Sequence, residues 1–111
     1  MTYEVEISST AEAEADNAFL QVSKFVSTDY AKSWYSGLLK AVKSLSTMPK
    51  RCPLARENQY FSQEIRQLLY GRGRSSYRIL FTILETNGTP IFRVLHLRHA
   101  SQQTIGEPPE S

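Results

Sequence analysis

Tyr77-Arg78-Ile79-Leu80-Phe81-Thr82-Ile83-Leu84-Glu85-Thr86-Asn87-Gly88-Thr89-Pro90-Ile91-Phe92-Arg93-Val94-Leu95-His96-Leu97-Arg98-His99 is two β-branched and aromatic runs joined by Asn-Gly. Asn-Gly supplies the two positive φ angles that a two-residue type I′ hairpin loop requires. Such a loop fixes register, because Thr86 must pair with Thr89 and every other pair follows. Phe81 is then expected to face Val94, Ile79 to face His96 and Tyr77 to face Arg98. On the opposite side Thr82 meets Arg93, Leu80 meets Leu95 and Arg78 meets Leu97, with His99 just beyond. The face of Ile79, Phe81, Ile83, Phe92 and Val94 is the more continuous apolar one and is the expected seat of the main core. Tyr77, Arg78, His96, Arg98 and His99 collect at the open end of the hairpin, with Arg78 and His99 on one face and His96 and Arg98 on the other.

Before the hairpin, Ile65 to Tyr70 reads as a strand with Arg66, Leu68 and Tyr70 on one face. Gly71-Arg72-Gly73 then turns the chain, with Arg74 just beyond. If that strand lies beside Tyr77 to Glu85, Arg66 is placed to join Arg78. Further upstream, Tyr3, Val5 and Ile7 alternate with Glu4, Glu6 and Ser8 in the period of a first, half-buried strand. Ser9 stands at capping-box spacing from Glu12, and an apolar stripe of Ala11, Ala15, Ala18, Phe19, Val22, Phe25 and Val26 predicts a helix. Ser27-Thr28-Asp29 ends it and caps a second helix, whose stripe is Tyr30, Trp34, Leu38, Ala41, Val42, Leu45 and Met48. So short a connection predicts an antiparallel helix hairpin. Gly37 inside the second helix costs about 1 kcal/mol relative to Ala and implies a close approach by a neighbour. Pro49 to Gln63 reads as an irregular loop carrying Lys50, Arg51 and Arg56. The expected fold is α+β in the order β-α-α-β-β-β, a helix hairpin packed on one face of a small antiparallel or mixed sheet. Residues 1–100 make one domain, and 101–111, with Pro108-Pro109, read as a flexible tail.

Length and composition set outer bounds. A chain of 111 residues has room for one core, and an apolar fraction of 41% with twelve aromatics is ample to fill it. The single cysteine, Cys52, excludes an internal disulfide, and neither a metal-ligand spacing nor a cofactor motif is present. No basic start precedes an apolar run and no segment is long enough to span a bilayer, so a cytoplasmic protein without a membrane partner is expected. The net charge of +2 conceals a division: residues 1–49 carry four Lys against six acids, whereas residues 50–99 carry nine Lys and Arg against three acids. Eight of those nine are Arg, whose planar fork matches phosphate and carboxylate oxygens, so a polyanion or an acidic peptide is the expected partner.

Weighed singly, the residues differ. His96, between apolar neighbours on the face assigned to the core, reads more simply as a structural histidine than as a catalyst. His99, at the strand end, is freer to act. Arg78 stands among Ile79, Leu80 and Phe81, where an unpaired charge is expensive, so it must be either paired or exposed. Cys52 has a basic neighbour and no partner His, which argues against a nucleophile.

The element order resembles the RelE/ParE superfamily of toxins from bacterial toxin-antitoxin and plasmid-stabilisation modules. The resemblance rests on the strand Ile65-Arg66-Gln67-Leu68, the strand Tyr77-Arg78-Ile79-Leu80-Phe81 and the closing Val94-Leu95-His96-Leu97-Arg98-His99. It covers residues 3 to 100. It implies a toxin that inhibits translation as a ribosome-dependent, metal-independent mRNA endoribonuclease. Arg66 and Arg78 would then hold the scissile phosphate while His99 or His96 moves protons as a ribose 2′-OH attacks. Arg98, Arg93, Arg72, Arg74, Lys50 and Arg51 would contact RNA or a cognate antitoxin bearing an acidic or amphipathic segment. Other members of the superfamily poison DNA gyrase by binding, and a decayed toxin that only binds its antitoxin is a third alternative. The C-terminal Tyr of many nuclease members is replaced here by Ala100-Ser101-Gln102-Gln103.

Overall fold

The computed structural model describes residues 2–71, 76–85, 88–102 and 104–105. Strand β1 (Glu4–Ile7) leads into helices α1 (Ser9–Phe25) and α2 (Thr28–Ser44). Two short 3-10 turns, Pro49–Arg51 and Arg56–Tyr60, precede strands β2 (Arg66–Tyr70), β3 (Tyr77–Leu84) and β4 (Ile91–His99). The order β-α-α-β-β-β is the expected one. The sheet runs β1-β4-β3-β2; β2, β3 and β4 are antiparallel neighbours, and β1 joins parallel to β4, which makes the sheet mixed.

Hairpin register follows the Asn-Gly rule only halfway. From Leu84 against Ile91 to Phe81 against Val94 the pairs are as derived, and Gly88 has a φ of 119°; Asn87, like Arg72, Arg74, Gln103 and residues 106–111, lies outside the described residues. Between Leu80 and Phe81 the register then shifts by one, so Leu80 pairs with His96, Ile79 with Leu97, Arg78 with Arg98 and Tyr77 with His99. Leu95 is the extra residue of a β-bulge. The physical reason is burial. Unbroken register would set the imidazole of His96 against Ile79 under the helices and turn Leu97 outward, whereas the bulge puts Leu97 in the core beside Ile79 and Val94. The expected faces are thereby corrected: Arg78 goes with Arg98, and His99 with Tyr77.

The helix hairpin sits on the predicted face, over Ile79, Phe81, Phe92, Val94 and Leu97. Its first cap is one residue earlier than expected, because Ser8 rather than Ser9 accepts the Ala11 N–H (3.0 Å), and Ser27 does the same for Tyr30 (3.0 Å). The small stripe Ala11, Ala15, Ala18 lets α1 approach the sheet closely. Gly37 has the close neighbour its presence implied: a Cβ there would overlap the Tyr70 hydroxyl, which donates to the Trp34 carbonyl (2.7 Å). Both stripes overrun the core, since Phe25, Val26, Tyr30 and Met48 are exposed. Of the alternating apolar residues at the start of the chain only Tyr3 is buried; all four residues of β1, Val5 and Ile7 included, are exposed.

The opposite face of the sheet is also covered. The segment between α2 and β2 lays Ala55 and Ile65 on Leu80, joined by Leu95 and by Ile105. That segment is held by Asn58 Oδ1 accepting the Ile65 N–H (2.9 Å) and by the Thr82 hydroxyl donating to the Glu64 carbonyl (2.9 Å). Within the stretch read as a tail, Ile105 is thus packed on the sheet.

Candidate functional site

Arg78 lies under this second layer, only 4% exposed. Its guanidinium makes a bidentate pair with Glu57, which is itself fully buried: Nη1 donates to Oε2 (2.9 Å) and Nη2 to Oε1. Nε donates to Gln67 Oε1 (3.1 Å), so all three guanidinium nitrogens are engaged. The Ile105 N–H also donates to Glu57 Oε2 (3.3 Å). Burial by itself pushes the Glu57 carboxyl up; the pair with Arg78 and the two backbone N–H groups, its own and that of Ile105, outweigh it and hold the carboxyl below the usual glutamate range.

Arg66 does not join Arg78. It pairs with Phe81, on the helix side of the sheet, whereas Gln67 and Arg78 occupy the other side. Its Nη1 donates to the Cys52 carbonyl (2.6 Å) and the Lys50 carbonyl (3.3 Å), and Nη2 meets Glu64 at 2.7 Å. Both arginines expected to hold a phosphate are therefore engaged in tying the irregular segment to the sheet.

His96 and Arg98 are brought to the outer edge of β4. Strand β1 covers that edge only as far as Val94, and beyond it side chains take the place of a strand. The Ser8 hydroxyl donates to the Leu95 carbonyl (3.0 Å), Glu14 Oε1 accepts the Leu97 N–H (3.1 Å), and Gln102 Oε1 accepts the His99 N–H (2.6 Å). Glu14 also meets His96 Nδ1 at 3.1 Å and Arg98 Nη1 at 3.9 Å. His99 stands apart, edge-on to Tyr77 with ring centroids 5.1 Å apart. Because a backbone N–H can only donate, the Ser101 N–H on His99 Nδ1 (3.2 Å) leaves the proton of the neutral ring on Nε2. A polar groove beside it is lined by Glu14, Asn17, Gln21, Tyr77, His99 and Gln102. A carboxylate on its wall suits an approaching phosphate poorly.

The remaining cations are dispersed. Arg93 pairs with Glu6 (2.6 Å) and Lys50 with Glu85 (2.5 Å), while Arg51 Nη1 donates to the Thr47 and Met48 carbonyls in the connection after α2. The hydrogen bond that the Lys50 ammonium donates to Glu85 raises the Lys50 pKa. Glu57, Glu14 and Gln67, which organise these arginines, carried no recognisable motif. The one available signal was the need of Arg78 for a partner. A different feature lies on the helix side: an apolar groove between α1 and α2, lined by Ile7, Ala11, Ala15, Leu38, Leu39 and Val42. Ile7 (42%) and Leu39 (46%) are open to solvent on its rim.

A family model described as "ParE toxin of type II toxin-antitoxin system, parDE" matches residues 5–104. The chain belongs to the ParE toxin family. A solved structure described as "Chromosomal ParDE TA system from P. aeruginosa" has the same fold as this ParE-family chain, with a TM-score of 0.67 at 14% identity over 88% of this chain and 96% of the other. No curated protein sequence matches significantly. As a ParE toxin the chain has a cognate antitoxin as its partner, and among the described residues no helix is long and apolar enough to cross a membrane.

Proposed function

We propose that this ParE toxin acts by binding DNA gyrase and not by cleaving mRNA. One observation carries the choice: the two sheet arginines that a nuclease would need are on opposite faces and already engaged by the protein itself, Arg78 by Glu57 and Gln67, Arg66 by Glu64 and the loop carbonyls. A phosphate could reach Arg78 only by displacing a buried carboxylate, at a cost of several kcal/mol. With purified gyrase, the chain is expected to inhibit DNA supercoiling. Primer extension on translated mRNA after induction is expected to reveal no new cuts in the ribosomal A site. New A-site cuts with gyrase left untouched would reverse the assignment.

The apolar groove between α1 and α2 supports a second element of this reading, the seat of the antitoxin. An amphipathic segment would bury its apolar side against Leu38, Leu39 and Val42, the recognition mode in which a helix fills a groove. It would also cover the exposed Leu39 and Ile7.

A further inference from the structure

From Tyr30 to Arg56 the chain carries six cations and not one acid. Helix α2 occupies most of this stretch. Its buried residues are Ala31, Trp34, Leu38 and Val42, and its three lysines, Lys32, Lys40 and Lys43, are all exposed. At about 100° per residue they fall within an arc of about 80° on the side away from the sheet. Exposed Ser33, Ser36 and Ser44 lie on that arc or within about 40° of it. Among the described residues none of the three lysines has an ion-pair partner, in contrast to Lys50, Arg66, Arg78, Arg93 and Arg98. The acids lie elsewhere, as Glu4 and Glu6 on β1 and Glu12, Glu14 and Asp16 on α1. The single acid of α2, Asp29, is in its first turn.

We infer that the outward face of α2 is a contact surface for the sugar-phosphate backbone of a double-stranded nucleic acid. Three arguments select this occupant. Lysine and hydroxyl side chains are the usual phosphate contacts, whereas protein interfaces are depleted in Lys and anchored by buried aromatics or Arg, which this face lacks between Lys32 and Lys43. Single strands are held by stacking on exposed aromatics, and the lysine arc carries none: Trp34 is buried, Tyr35 half-buried, and the exposed Tyr30 lies about 80° off the arc. Lys32 and Lys43 are about 16 Å apart along the axis at ~1.5 Å per residue, a length over which a B-form duplex presents about ten charges at one per ~1.7 Å. Loss of one lysine therefore weakens binding without abolishing it, and binding is insensitive to sequence.

The experiment is fluorescence anisotropy of the full chain with a labelled duplex of arbitrary sequence, at a series of salt concentrations, with gyrase absent. It succeeds or fails independently of the gyrase reading. Wild type is expected to bind at low salt, and the triple variant Lys32→Gln/Lys40→Gln/Lys43→Gln to lose more than tenfold in affinity. Its plot of log K against log salt is expected to flatten by about 0.9 per lysine removed. Thermal melting verifies that the variant folds, and Glu12→Gln/Asp16→Asn, on the acidic helix, is the control expected to bind at least as well as wild type. Three results would overturn the inference: no binding of wild type at low salt, an unchanged slope in the triple variant, or equally tight binding of a poly-glutamate peptide, which would make the face a site for acidic protein segments. Parallel arms with DNA and RNA duplexes of the same sequence identify the source of the phosphate.

Discussion

Arg78 is the residue on which sequence and structure diverge most instructively. Its surroundings in the sequence, Ile79-Leu80-Phe81, already required it to be paired or exposed, and the structure pairs it with Glu57 twenty-one positions away. Removing one member of such a pair leaves the other charge buried, so Arg78→Ala is expected to lose about 3–5 kcal/mol of stability in chemical denaturation. Glu57→Leu/Arg78→Met together is expected to cost much less than the single change. A stable, fully folded Arg78→Ala would show that the pair contributes little. The pH dependence follows from the depressed Glu57 carboxyl. A carboxylate whose folded pKa lies below its unfolded value stabilises the fold above the unfolded pKa, about 4.3, and the contribution is lost as pH falls through that value toward the folded one. Acid titration of stability is accordingly expected to show a loss below about pH 4.3 that is absent from the double variant. Gly37 offers an independent check. Gly37→Ala gains helix propensity of about 1 kcal/mol yet collides with the Tyr70 hydroxyl, so it is expected to destabilise the wild type and to be tolerated in a Tyr70→Phe background.

At the scale of elements, what could be read from the sequence is what local chemistry dictates. The two helices, the three C-terminal strands and half of the hairpin register follow from period, caps and Asn-Gly. The bulge at Leu95 does not, because it is a response to the helices above the sheet: it exchanges His96 for Leu97 at a position that only tertiary packing makes apolar. Nor does the pairing of Arg78, since its partner comes from a stretch with no period of its own. The β4 edge is the same kind of feature. Once β1 has ended, Ser8, Glu14 and Gln102 satisfy backbone groups that another strand would otherwise take, a defence against edge-to-edge association. Glu14→Ala is expected to leave the fold intact while the Leu97 amide exchanges with solvent markedly faster, which amide hydrogen exchange resolves residue by residue. Unchanged protection would mean that α1 itself, and not the carboxylate, shields the edge.

For the whole molecule, the second layer packs over the sheet face that carries Leu80 and Arg78. With one face under α1 and α2 and the other under residues 53–65 and Ile105, a ParE toxin of this construction has its rims and helices left for partners. The apolar groove between α1 and α2 is the one proposed above for the antitoxin. Anything that binds the native chain and not the unfolded one raises its melting temperature by mass action, by the equivalent of about 2.7 kcal/mol when free partner stands at one hundred times its Kd. Leu39 is 46% exposed on the groove rim, so Leu39→Glu removes little from the core of the free toxin. It does set an unpaired charge in the path of an apolar helix, where desolvation costs several kcal/mol. Leu39→Glu is therefore expected to melt within a degree or two of wild type when alone, a change well under 1 kcal/mol, and to lose most of the upward shift that the cognate antitoxin confers on wild type. The two thermal scans, with and without antitoxin, separate the possibilities: an undiminished shift in the variant would move the antitoxin off this groove and onto another face of the molecule.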